Sequence, residues 1–92
     1  MKIGLVSAIL EDYDFGGVIL FANNVKETEQ TFNLTQALQG AATADGGIPL
    51  LIGIDQEGGS VYRLGSGTAL PGNMALGATG NVENARLAGD WK

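Results

Sequence analysis

Two short apolar runs, Val18-Ile19-Leu20-Phe21 and Pro49-Leu50-Leu51-Ile52-Gly53-Ile54, are separated by about 27 residues that carry a helical pattern. This separation restricts the fold more than any other feature of the chain. A hairpin closes over a few residues, whereas two parallel strands need a crossover of a dozen or more, usually helical. The spacing therefore predicts a right-handed βαβ unit in an α/β fold. Both runs are continuous and rich in β-branched residues, the pattern of strands buried on both faces. Pro49 is acceptable as the first residue of its strand, where no ladder donor is lost.

The remaining elements follow from periodicity and punctuation. Ile3, Val6, Ile9 and Leu10 recur at helical spacing and predict the tail of a helix ending near residues 13–16. Between Lys26 and Ala44, the residues Leu34, Leu38 and Ala41 share one face, with Glu27, Glu29, Gln36 and Gln39 as polar filling. Gly46-Gly47 is the expected stop of that helix. The stretch from Leu70 to Gly77 reads as a loop or a short helical turn. A last helix is expected from Asn81, a good N-cap, with Ala85, Ala88 and Trp91 on one face and Trp91 as a core anchor. Both terminal helices read as incomplete and no linker interrupts the chain, so residues 1–92 are expected to form one partial domain.

The second run stops at Asp55-Gln56-Glu57-Gly58-Gly59, where two carboxylates meet a glycine pair that lets the chain turn away without Cβ clashes. In parallel sheets, ligand-facing residues sit just past the carboxyl ends of the strands, so Asp55 is expected at a binding surface. A carboxylate only accepts hydrogen bonds and pairs well with adjacent hydroxyls, which suits Asp55 to a sugar. Glu57 is expected to cap or pair within the turn. Arg63, six residues further on, is expected to hold the Asp55–Glu57 loop in shape. Asn23 and Asn24 end the first run on the same side and read chiefly as turn formers. Gly65-Ser66-Gly67 is no phosphate loop, because those glycines do not lie directly between a strand and a helix and no Lys accompanies them.

Composition removes several function classes. The 92 residues contain no cysteine and no histidine, which excludes a disulfide framework, a zinc site and a Ser/His/Asp triad built within the chain. No metal or other cofactor is expected. A net charge of −5 with five scattered Lys and Arg leaves nothing to neutralise a phosphate backbone or an anionic membrane, so no nucleic acid or membrane partner is expected. Acidic residues 11, 12 and 14 follow the apolar N-terminal stretch at once, with no small-residue cleavage site. The expected location is the cytoplasm, with secretion as the alternative.

One further reading rests on resemblance. Gly16 to Asn24, Leu34 to Gln39, Pro49 to Gly59, Val61, Arg63, Leu70-Pro71 and Met74 to Gly77 together resemble the N-terminal part of glycoside hydrolase family three. The string Asp55-Gln56-Glu57-Gly58-Gly59 is similar to the β-N-acetylhexosaminidase branch, since the β-glucosidase branch usually carries His-Gly where Glu57-Gly58 stands here. The resemblance implies a (β/α)8 barrel of the TIM type, of which this chain would supply about two βα units. A whole barrel takes roughly 250 residues. It also implies retaining removal of terminal N-acetylglucosamine from glycoconjugates through a glycosyl-aspartate intermediate. In that branch the aspartate matching Asp55 binds sugar hydroxyls, the nucleophile lies far downstream, and the acid/base histidine belongs to a Lys-His motif. Neither catalytic position has a counterpart in these residues, so no catalytic residue is assigned. Ser60 departs from the Arg common in the family. The alternative is a non-catalytic sugar-binding or scaffolding module. In either case an N-acetylglucosamine-containing saccharide is the expected partner, and the chain is expected to self-associate or to need the rest of a barrel.

Overall fold

The computed structural model describes residues 3–91, without the Ile3 side chain. Residues 1, 2 and 92, the ends of the expected domain, lie outside that range. The elements in chain order are α1 (Ile3–Asp12), β1 (Gly17–Leu20), α2 (Thr28–Thr43), a 3-10 turn (Ala44–Gly46), β2 (Leu51–Ile54), α3 (Asn73–Ala78) and α4 (Val82–Trp91). The two strands pair in parallel, with Gly17, Val18, Ile19 and Leu20 opposite Leu51, Ile52, Gly53 and Ile54. This is the strand–helix–strand crossover that the spacing of the two runs predicts. Pro49 precedes the ladder instead of opening it.

The core lies on one face of this two-stranded sheet. Leu10 of α1, Leu20 of β1, Leu38 of α2 and the flanking Val25 and Leu50 are buried together, with Val6, Val18, Leu34, Ala41, Ile52 and Ile54 packed around them. Leu34, Leu38 and Ala41 are the predicted apolar face of α2. Gln39, expected as surface filling, instead fastens α2 to the start of β2. Its side chain donates to the Leu50 carbonyl at 2.8 Å and accepts from the Leu50 N–H at 2.9 Å. An amide carries one donor group and one acceptor, so it satisfies both main-chain groups of the residue that enters β2.

Three further expectations are corrected. Each strand is covered on one face only: Leu20 is 2% exposed while Ile19 is 62% and Leu51 81% exposed. The cause is that α1 and α2 contribute to the same core, so the opposite face, which carries Ile19, Leu51 and Gly53, meets no helix. Helix α2 stops at Thr43, before the glycine pair: Ala44 already leaves the helix with a ψ of 143°, and Asp45 takes a left-handed φ of 56° ahead of Gly46 at 80°. Aspartate tolerates that region through local side-chain hydrogen bonding. Trp91 is not a core anchor: it is 67% exposed at the end of α4, where Ala88 is the buried residue. Asn81 does cap α4 as expected, its Oδ1 accepting from the Glu83 N–H at 3.0 Å.

The molecule is elongated. Its radius of gyration is 16.4 Å and its extents are 50 × 23 × 17 Å, whereas a compact domain of this length has a radius near ~12 Å. No helix among the described residues is long and apolar enough to cross a membrane.

Candidate sugar-binding rim

Asp55 is the residue that follows β2, and it continues the alternation of that strand. Leu51, Gly53 and Asp55 are exposed while Ile52, Ile54 and Gln56 are half-buried. Side chains of a strand alternate between faces, so Asp55 belongs to the helix-free face of the sheet, at its carboxyl end. The next step of the register past Leu20 and Ile54 brings Phe21, also exposed, beside it. A charged acceptor bordered by an apolar surface can bind paired hydroxyls and the carbon face of a ring at once.

The loop that carries Asp55 is held at several points. The Glu57 and Gly58 N–H groups both donate to the Val61 carbonyl, at 2.9 and 3.0 Å, and the Val61 N–H returns to the Gly58 carbonyl at 3.2 Å. Gly58 and Gly59 adopt φ of 85° and 60°, the left-handed region that only glycine enters freely. Their lack of side chains lets residues 70–72 close in, and the Gly59 N–H donates to the Leu70 carbonyl at 2.9 Å. Farther along, Ser66 meets Thr28 at the start of α2 through a 2.6 Å hydroxyl contact. The loop after β2 is thus tied to the helix after β1.

The residue that organises this loop by its side chain is Gln56, which sequence reasoning passed over. Its Oε1 accepts from the Arg63 N–H at 2.8 Å and the Leu64 N–H at 3.1 Å. Arg63 therefore joins the loop through its main chain. Its guanidinium makes one long contact, Nη1 to the Tyr62 carbonyl at 3.4 Å, and its Nε is buried without an acceptor. Glu57 anchors the turn through its N–H, with its side chain at the exposed side of the loop. Ser60, at the tip, is exposed. At the end of β1, the Asn24 Oδ1 accepts from the Phe21 N–H at 2.9 Å and the Asn24 carbonyl accepts from Gln30 at 2.8 Å, a turn of the kind expected there. Among the described residues no cluster of three or more Asp or Glu side chains is arranged to hold a metal ion.

Residues 5–91 match the glycosyl hydrolase family 3 N terminal domain. The chain belongs to glycosyl hydrolase family 3. Within the family it is 49% identical over 77 residues to a protein named β-hexosaminidase A from Pseudoalteromonas piscicida, a match covering 80% of this chain and 13% of that protein. A β-hexosaminidase of Vibrio cholerae serotype O1 is 39% identical over 83 residues, covering 88% of this chain and 24% of the relative. One from Thiobacillus denitrificans is 42% identical over 78 residues, covering 84% and 21%. The chain thus spans a quarter or less of the length of these family 3 relatives.

Proposed function

We propose that these residues form part of the sugar-binding rim of a retaining β-N-acetylhexosaminidase, within a (β/α)8 barrel whose bond-breaking groups lie outside residues 1–92. The observation that carries this reading is the place of Asp55, exposed past the carboxyl end of a parallel strand on the face no helix covers. In a closed barrel that face would turn to the interior, with Asp55 at its mouth. Asp55 accepts hydrogen bonds from hydroxyls of a terminal N-acetylglucosamine. Glu57 and Arg63 support the loop, through the Glu57 N–H to Val61 and the Arg63 N–H to Gln56. The names of the relatives support the choice of substrate class.

In a full-length β-hexosaminidase carrying this segment, Asp55→Ala is expected to raise KM and lower kcat/KM. Charge-assisted bonds to desolvated hydroxyls make the loss about 2 to 4 kcal/mol, roughly 30- to 900-fold. Asp55→Asn keeps one acceptor oxygen and should lose less. Steady-state kinetics on both variants, with circular dichroism to verify folding, decides the matter: wild-type kinetics in well-folded variants would remove Asp55 from the sugar site.

The same reading predicts how the chain behaves alone. Among the described residues six hydrophobic side chains are buried while fourteen large ones are exposed, Ile19, Phe21 and Leu51 beside or on the open sheet face among them. Covering each of those three recovers about 1.5 to 3 kcal/mol, and both strands present an unpaired edge. At micromolar concentration the chain should therefore sediment as associated species. A sharp monomer with cooperative unfolding would instead identify a self-sufficient domain.

A further inference from the structure

We propose that Gln56 is a positioning residue of the sugar site, acting on substrate affinity through the aim of the Asp55 carboxylate; this rests on the rim reading above. The parallel ladder ends at Leu20 and Ile54, so Asp55 is the first residue past the register that fixes Leu51 to Ile54. The side-chain anchor nearest to it is the next residue. Gln56 Oε1 accepts from the consecutive N–H groups of Arg63 and Leu64, at 2.8 and 3.1 Å, and so uses both lone pairs of one carbonyl oxygen. These bonds close the loop over seven and eight residues, outside the main-chain turn between Glu57 and Val61.

Leu64 gives this anchor a fixed base, because it packs against the buried cluster of Leu10, Leu20, Val25, Leu38 and Leu50. The core thus reaches Gln56 through the Leu64 main chain. Asp55 and Gln56 share a planar peptide, and successive side chains of an extended chain point to opposite faces. Gln56 is half-buried and Asp55 exposed, so pinning the Gln56 side chain to residues 63–64 holds the carboxylate on the open face. A shift of one residue would exchange the two faces. Without Oε1, the N–H groups of Arg63 and Leu64, both half-buried residues, lose their acceptor, and the segment must move to satisfy them. The turn between Glu57 and Val61 would survive, since main-chain bonds alone close it. Loss of the Gln56 acceptor therefore leaves a folded loop with a misdirected carboxylate.

The test is steady-state kinetics on a full-length β-hexosaminidase carrying this segment, with a chromogenic N-acetylglucosaminide as substrate and circular dichroism to verify folding. Gln56→Leu is expected to raise KM about tenfold with kcat little changed, because misdirecting a group that binds ground and transition states alike weakens both equally. Gln56→Asn, whose amide is one methylene too short to reach both donors, should do the same, and it keeps the position polar if the leucine variant does not fold. Gln56→Glu keeps an acceptor oxygen in the place of Oε1 and loses neither hydrogen bond, so KM should return to within about twofold of wild type. On an Asp55→Ala background, Gln56→Asn should leave KM where Asp55→Ala alone puts it, whereas a residue that only stabilises the fold would add its own effect. Wild-type KM in folded Gln56→Asn, a rise in Gln56→Glu as large as that in Gln56→Asn, or additive effects in the double variant would each overturn the positioning role. Failure here is distinguishable from failure of the rim: a loss in Asp55→Ala with none in Gln56→Asn removes Gln56 alone, and wild-type kinetics in Asp55→Ala removes both.

Discussion

A chromogenic N-acetylglucosaminide incubated with the purified 92-residue chain is expected to be hydrolysed no faster than in buffer. Retaining hydrolysis needs a nucleophile and an acid/base on the two sides of the scissile bond, with carboxyl groups about 5 to 5.5 Å apart in the two-carboxylate form. This chain offers Asp55 and Glu57 from one short loop, and no histidine to take the acid/base part. Groups that touch sugar hydroxyls lower the free energy of ground and transition states alike and leave the chemical barrier in place. Because enzymes accelerate such reactions by roughly 10⁶-fold or more, a trace contaminant would be visible in this assay. The control is Asp55→Ala purified in parallel. Turnover by the wild-type chain that disappears in this variant would mean that the chain holds its own catalytic machinery, and the rim reading would fall.

Gly58→Ala is expected to open the loop, whereas Gly40→Ala should stabilise the chain. At Gly58 a Cβ would stand 2.6 Å from the Pro71 carbonyl oxygen and 2.7 Å from that of Leu70, both main-chain atoms, and the φ of 85° disfavours any L side chain. The backbone conformation costs about 1 to 2 kcal/mol, and overpacking against a rigid neighbour about 1 to 3 more. The same substitution at Gly40, inside α2 with nothing within 4 Å of the added methyl, removes backbone entropy from the unfolded chain. It should add about 0.5 to 1 kcal/mol of stability. Amide hydrogen exchange separates the two effects. In Gly58→Ala the Gly59 N–H, which bonds the Leu70 carbonyl, should lose its protection while Leu38 keeps its own. Unchanged protection at Gly59 would show that residues 70–72 are not held by the glycine pair.

The Arg86 guanidinium, which bridges Glu83 and Asp90 at 2.6 and 2.7 Å, carries little of this stability, since all three groups are exposed to solvent. What fastens the loop is main-chain pairing and the Gln56 amide.

The parallel pairing of β1 and β2 was determined by the sequence itself, because the distance between two apolar runs and the helical period between them leave one economical connection. The apolar face of α2, the Asn81 cap and the position of Asp55 just past β2 were legible for the same reason: each depends on near neighbours and on periods of 3.6 or 2. Tertiary structure alone decided the rest. Gln39 and Gln56 look like surface glutamines, yet they bind main-chain groups eleven, seven and eight residues away, and a main-chain partner leaves no mark in composition. Thr28 and Ser66 meet across 38 residues. The open face of Ile19 and Leu51 depends on which side of the sheet the helices take, and the exposure of Trp91 on what α4 packs against. Local pattern shows that a residue is apolar, and only the packed chain determines whether anything covers it.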